Sequence, residues 1–239
     1  MRKHSKRYDL GSSGIGLDYY KPEDAVKIIK EHATAKFVEA VELHVSTGVD
    51  PSQSDQQIRE IAELPHGTGK KVRILVFAEG KDVKSAEESG ADYIINDGLI
   101  KKIEDGWSDF DVAIATPDQM SKIGRLGRYL GRKGLMPNPK TGTVVESKNL
   151  ASAVSDNKHG RVEIKLDKGA NIHARIGNIS FDEDQILENL RSVYSRLLNS
   201  KPENIKGQYI KTASMCTTMG PSVKLNLTEM EKFSNYQSL

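Results

Sequence analysis

Hydrophobic and polar positions fall into two textures along this chain. From Val38 to Val45, Val38, Ala40, Leu43 and Val45 interleave with Glu39, Glu42 and His44. That imperfect period-two pattern predicts a half-buried strand. Upstream, Pro22-Glu23-Asp24 predicts a helix start, because proline suits the first turn and acids suit the positive end of the helix dipole. After Pro65-His66-Gly67-Thr68-Gly69-Lys70 the texture changes. Val72-Arg73-Ile74-Leu75-Val76-Phe77-Ala78 is almost wholly apolar, as in a strand covered on both faces. Next come a predicted helix (82–89), a strand (93–95), a helix (99–105), a strand (112–115), a helix from Asp118, and a helix over 150–156. Short apolar strands alternating with helices predict a small parallel sheet of Rossmann-like type.

A second change follows Lys158-His159-Gly160. Residues 161–166 and 172–176 alternate around the turn Asp167-Lys168-Gly169-Ala170-Asn171, predicting a hairpin with one wet face. Phe181 to Asn199 places Ile186, Leu187, Leu190, Val193, Tyr194 and Leu197 on one side of a helix. Residues 211–225 predict a final strand region broken at Gly220-Pro221. The outer segments share one style and the middle has another. The expected fold is therefore α/β and α+β. Residues 1–67 and 160–239 make a discontinuous α+β domain, and residues 68–159 form an inserted Rossmann-like three-layer α/β domain. Domain insertion at an exposed loop is well tolerated. The crossings near Gly67 and Gly160 would then form a hinge.

Composition adds bounds. The 239 residues include 35 Lys/Arg and 33 Asp/Glu, for a net charge of +2. A purely electrostatic polyanion binder would be more basic, so shape and hydrogen bonding must supply much of any nucleic-acid affinity. Cys216 is alone, which excludes an internal disulfide and fits a reducing compartment. No apolar run reaches the roughly 20 residues of a membrane span, and no apolar stretch follows the basic start Met1-Arg2-Lys3-His4. That start is expected to be a short arm touching phosphates. The charge is local: from Gln119 to Val145 there are six Lys/Arg and no Asp/Glu. The bland account is a solvated helix face plus a loop, but glycines at 124, 127 and 131 are poor helix material.

Catalysis finds no support. Gly11-Ser12-Ser13-Gly14-Ile15-Gly16 has the wrong spacing for a dinucleotide loop and follows no apolar strand. Gly67-Thr68-Gly69-Lys70 lacks the upstream glycine and the following hydroxyl of a phosphate loop, so a hinge is the better reading. The histidines are scattered singly, without metal-ligand spacing. A dehydrogenase would need glycines after the 72–78 strand, where Glu79-Gly80-Lys81-Asp82 brings acids instead. A DNA-binding regulator would need a basic recognition helix, and none is basic throughout. Two clusters stay open. Cys216 to Ser222 gathers hydroxyls suited to an RNA minor groove, or is a strand end rich in threonine. Phe37 either stacks on a base or, as is commoner, enters the core.

Several segments together resemble a known family. They include Thr34-Ala35-Lys36-Phe37, Val41-Glu42-Leu43-His44, Leu64-Pro65-His66-Gly67-Thr68-Gly69-Lys70, Gly90-Ala91-Asp92-Tyr93 and Ala115-Thr116-Pro117-Asp118. Asp50-Pro51, Ser54-Asp55-Gln56, Gly134-Leu135-Met136-Pro137-Asn138-Pro139-Lys140, Gly142-Thr143-Val144, Gly160-Arg161 and Thr217-Thr218-Met219-Gly220-Pro221-Ser222 complete the set. Running in order over about 200 residues, they resemble the bacterial-type ribosomal protein numbered first in the large subunit, the universal stalk protein family. The resemblance implies a non-enzymatic protein without cofactor or metal, monomeric when free and not membrane-bound. It implies a split domain that binds large-subunit rRNA on the ribosome and a stalk whose movement helps deacylated tRNA leave the exit site. It also implies repression of the chain's own mRNA, and a location in a bacterial cytoplasm or an organelle of bacterial descent. Carried onto this sequence, the RNA contacts fall on Lys36, Phe37, Glu42, Ser180, Thr218, Met219 and Gly220. Arg161 and Lys165 are expected to add phosphate neutralisation, and Arg125, Arg128, Arg132, Lys133 and Lys140 to form a secondary basic loop. The chain departs from the family at Arg132, where proline is usual, at Val38, where an acid is usual, and at Cys216, where threonine is common.

Overall fold

The computed structural model describes residues 5–16, 18–205 and 207–235. In chain order the elements are α1 (Lys6–Ser12), α2 (Pro22–Glu31), β1 (Ala40–Thr47), β2 (Arg59–Glu63), β3 (Ile74–Phe77), α3 (Lys81–Glu88), β4 (Tyr93–Ile94), α4 (Asp97–Glu104) and β5 (Val112–Ala115). Then follow α5 (Met120–Leu130), α6 (Leu150–Gly160), β6 (Arg161–Lys165), β7 (Asn171–Asn178), α7 (Glu183–Asn199), β8 (Ile210–Thr217), β9 (Val223–Leu225) and α8 (Leu227–Asn235). Packing divides the chain into two units. One runs up to Gly69 and resumes at Val162; the other is Lys70–Arg161.

The first unit is built on an antiparallel sheet of order β7-β1-β8-β9. β1 alternates strictly, with Val41, Leu43, Val45 and Thr47 buried. This inner face packs against α2 through Ala25, Val26 and Ile29, and against α7 through Ile186, Leu190 and Val193. Each fully buried aliphatic side chain contributes about 1.5–3 kcal/mol of transfer free energy. α7 begins at Glu183 because Asp182 and Gln185 form a reciprocal capping box. The other face of β1, at Glu42, His44 and Ser46, carries polar groups that are only partly buried.

The expected hairpin of residues 161–166 with 172–176 does not form. β6 pairs with β2 in a separate sheet, and only one bridge, Leu166 to Ile172, joins it to β7. The turn itself is present: the Asp167 carboxylate accepts from the backbone N–H of Gly169 and of Asn171, and Ala170 takes a φ of 61°. β7 then pairs along β1 instead, because its Ile172, Ala174 and Ile176 complete the core over α7.

The second unit has a parallel sheet of order β4-β3-β5. All four residues of β3 are buried, and they alternate between two layers. Leu75 and Phe77 pack with Ile103, Ile123, Leu126 and Leu130; Ile74 and Val76 pack with Ala86, Leu150 and Val154. Helices cover both faces, which makes three layers. The glycines at 124 and 127 do not interrupt α5. Its buried Ile123, Leu126 and Leu130 fix the helix on the sheet, so tertiary packing overrides local propensity. Near the start of the described residues, Lys6–Ser12 is helical, with the Ser5 hydroxyl accepting from the Tyr8 N–H. Among the described residues no helix is long and apolar enough to cross a membrane.

Candidate nucleic-acid interface

β1 runs antiparallel to both β7 and β8, so its start lies beside both of their ends. Ala40 pairs with Asn178, and Val41 pairs with Thr217. Segments 35–39, 178–181 and 217–220, far apart in sequence, therefore meet at one rim of the sheet. Lys36, Phe37, Ser180, Thr218, Met219 and Gly220 all lie in these segments.

Glu39 ties the rim together from inside. It is 1% exposed. One carboxylate oxygen accepts from the Ala35 N–H at 3.1 Å and the other from the Met219 N–H at 2.8 Å. Its backbone carbonyl accepts from the Ile179 N–H at 3.0 Å, which engages the third segment. Burial alone would raise its pKa. The Met219 N–H, the Thr217 hydroxyl, the Ala35 N–H and the Arg7 guanidinium outweigh that, and together hold the carboxyl below its usual range. Arg7, on α1, spans the same segments from outside: it donates to the Met219 carbonyl at 2.9 Å and to the Thr34 hydroxyl at 3.3 Å.

The small rim residues have structural duties of their own. The Thr218 hydroxyl accepts from the Ala40 N–H at 3.0 Å, and the Thr218 N–H donates to the Ala40 carbonyl. Ser180 donates its hydroxyl to Asn178 Oδ1 at 2.6 Å. At Gly220 a Cβ would stand 2.2 Å from the Thr217 hydroxyl oxygen, so only glycine fits the turn as built.

This frame holds three apolar side chains in solvent: Phe37 is 55% exposed, Val38 65% and Met219 50%. Phe37 thus leaves the core position that is commoner for phenylalanine. The pattern inverts here, with the valine outside and the neighbouring carboxylate inside. A sheet rim with apolar tips, hydroxyls and an exposed Lys36 suits shape contact to sugars and base edges more than charge pairing.

The polar sheet face continues from the rim. Glu42 sits opposite Arg175 on one side and Cys216 on the other. His44 Nδ1 lies 2.8 Å from His173 Nδ1, and His44 Nε2 lies 3.1 Å from Cys216 Sγ. Burial pushes the His44 pKa down, and His173 adds to this against Glu42. Burial and then Glu42 push the Cys216 thiol up. Both shifts oppose a thiolate–imidazolium pair, so the contact is not poised as a nucleophile. Among the described residues no group of three or more His, Cys, Asp or Glu is placed to hold a metal ion.

The remaining predicted residues lie elsewhere. Arg161 pairs with Asp156 at 2.7 Å. Lys165 is exposed on β6, whose continuation at Leu166 meets β7 at Ile172, the end of that strand opposite the rim. Arg125 and Arg128 stand exposed on α5, and Arg132 and Lys133 follow in a single 3-10 turn, all within the second unit. The side chain of Lys140 and residues 1–4 of the basic start lie outside the described residues. Sequence reasoning missed Glu39 and Arg7. Glu39 carried a signal in the inverted Val38-Glu39 pair; Arg7 carried none, because its partners lie 27 and 212 residues away.

Residues 29–221 match the model of the Ribosomal protein L1p/L10e family. The chain is 51% identical over 208 residues to the Large ribosomal subunit protein uL1 of Dehalococcoides mccartyi, covering 87% of this chain and 88% of that one. It is 50% identical over 228 residues to the protein of the same name from Thermosipho melanesiensis, covering 95% and 97%. The Fervidobacterium nodosum protein of that name is 49% identical over 229 residues, with 95% and 97% covered. With the family model spanning most of the chain and identity near one half along almost all of it, this chain belongs to the ribosomal protein L1p/L10e family.

Proposed function

We propose that this protein is a constituent of the large ribosomal subunit and binds a folded element of its rRNA through the rim at the start of β1. The single observation that carries the reading is the rim itself: exposed Phe37, Val38 and Met219 held by a buried carboxylate that pins two chain segments. Ordering these groups beforehand spares the entropic cost of arranging them on the RNA. Lys36, Glu42, Ser180, Thr218 and the Gly220 backbone supply the polar contacts around them, to 2′-hydroxyls and phosphates. Arg161, Lys165 and the cations of α5 act on phosphates outside the rim. In the same reading the bound RNA and protein form the mobile stalk that helps deacylated tRNA leave, and an mRNA carrying the same folded element occupies the rim and represses its own translation. The protein acts without catalysis or a cofactor, wherever a bacterial-type ribosome works.

The test is a titration of the purified protein against a large-subunit rRNA stalk fragment and a fully base-paired RNA of equal length, at two salt concentrations. Selective binding of the stalk fragment that survives the higher salt is expected. Equal and salt-sensitive binding of both would reduce the rim to a generic polyanion surface.

A further inference from the structure

The second unit carries a groove that the rim does not use. It lies between the loop after α4, at Gly106, Trp107 and Ser108, and the end of α5, at Arg128, Tyr129 and Arg132, and encloses about 380 Å³. Among the described residues its walls include no acidic side chain. On the α5 side the sequence from Gln119 to Val145 has no acid either, while on the other side Asp105 and Asp109 flank the loop. Tyr129 is 38% exposed, whereas Ile123, Leu126 and Leu130 of the same helix are buried. Trp107 is half-buried, braced edge-on by Tyr93 at a ring separation of 5.1 Å and tilted against Phe110 at 5.6 Å. Lys133 is fixed across the mouth, donating to the Ser108 hydroxyl at 2.5 Å and to the Gly106 carbonyl at 3.3 Å.

Cations at a helix C-terminus serve the helix dipole, and that alone would explain one or two of them. It does not explain why an exposed tyrosine and a braced tryptophan share the slot with them. Aromatic walls beside guanidinium groups are the arrangement that receives an unpaired nucleotide: the base stacks on a ring, and the flanking phosphates meet the arginines. A duplex cannot offer this, because its bases are already stacked.

We propose that this groove is a second RNA site, independent of the rim, that takes one unpaired nucleotide of a single-stranded segment, with Trp107 and Tyr129 against the base and Arg128 and Arg132 on the phosphates. Trp107 is the only tryptophan of the chain, so its emission reports the groove directly. The full-length protein is titrated with a five-residue oligouridylate, an RNA duplex of equal length and a base-free polyphosphate of equal charge. A saturable change in Trp107 emission with the oligouridylate alone is expected. Arg128→Gln/Arg132→Gln should flatten the salt dependence of that binding, and Tyr129→Leu should weaken it by roughly tenfold, as the loss of one stacking partner does. Thermal unfolding midpoints of the variants, compared with wild type, separate lost binding from lost folding. A Phe37→Ala/Met219→Ala protein should keep the Trp107 response whatever happens to stalk RNA, so the two sites stand or fall separately. No emission change, an equal change with polyphosphate, or a response that persists in Tyr129→Leu and Arg128→Gln/Arg132→Gln would overturn the proposal.

Discussion

Replacing Glu39 by glutamine tests the frame of the rim with almost no change of shape. The carboxylate accepts two backbone N–H bonds, from Ala35 at 3.1 Å and from Met219 at 2.8 Å. A glutamine has one acceptor oxygen, so its amide NH2 must face one of those donors and leaves it orphaned in a site that is 1% exposed. A hydrogen bond to a charged group contributes about 1.5–3 kcal/mol, and an orphaned buried donor costs about 1–3 kcal/mol. Since the two figures overlap for one donor, the expected loss is about 2–4 kcal/mol. Urea unfolding at neutral pH measures it, and hydrogen exchange at the Ala35 and Met219 amides localises it. The pH dependence has a fixed sign. The folded carboxyl titrates below its unfolded value, so its contribution is complete above the unfolded pKa and is lost as pH falls through the folded one. The gap between wild type and Glu39→Gln should therefore be widest at neutral pH and narrow in acid, below about pH 4. Equal stability, unchanged exchange at both amides and a gap independent of pH would refute the reasoning.

Other substitutions divide framing from contact. Met219→Ala should leave the unfolding midpoint nearly unchanged, because the side chain is half in solvent, and weaken stalk-RNA binding by about 1–3 kcal/mol in a filter-binding assay. Thr218→Ala should weaken binding and also cost about 1 kcal/mol of stability, since the Ala40 N–H loses its acceptor; Thr218→Ser should restore the stability. Gly220→Ala forces a methyl to 2.2 Å from the Thr217 hydroxyl, so it should reduce both stability by urea unfolding and RNA affinity by titration. Gly124→Ala should raise the thermal midpoint, through about 0.5–1 kcal/mol of helix propensity, because nothing stands within 4 Å of the added carbon.

Fold class was legible where one physical rule decided the outcome. The almost wholly apolar run at 72–78 fitted a strand covered on both faces, and β3 has all four residues buried. The stripe Ile186-Leu190-Val193-Leu197 made α7 plain. Strand partnership was less legible: β7 sits a turn away from β6 yet pairs with β1, a choice set by which core its apolar face completes. A helix from Asp118 was legible, but its run through Gly124 and Gly127 was not, because the cost of those glycines is local while the gain from Ile123, Leu126 and Leu130 is tertiary. The rim residues came from a family resemblance, not from pattern. Pattern gives no hint that three strand ends converge, because convergence depends on antiparallel register across 178 residues, from Ala40 to Thr218. Glu39 shows what pattern could have offered: an acid in the buried phase beside an exposed valine marks a place where the backbone needs an internal acceptor.

The central claim is that the rim reads RNA by shape on a preformed frame. The most direct test is the salt dependence of stalk-RNA affinity for wild type and for Phe37→Ala/Met219→Ala. The account predicts a shallow slope of log affinity against log salt, equal in both proteins, with the variant displaced to weaker binding at every salt concentration. A steep slope with no displacement between the two proteins would contradict it, and would assign recognition to the cations instead.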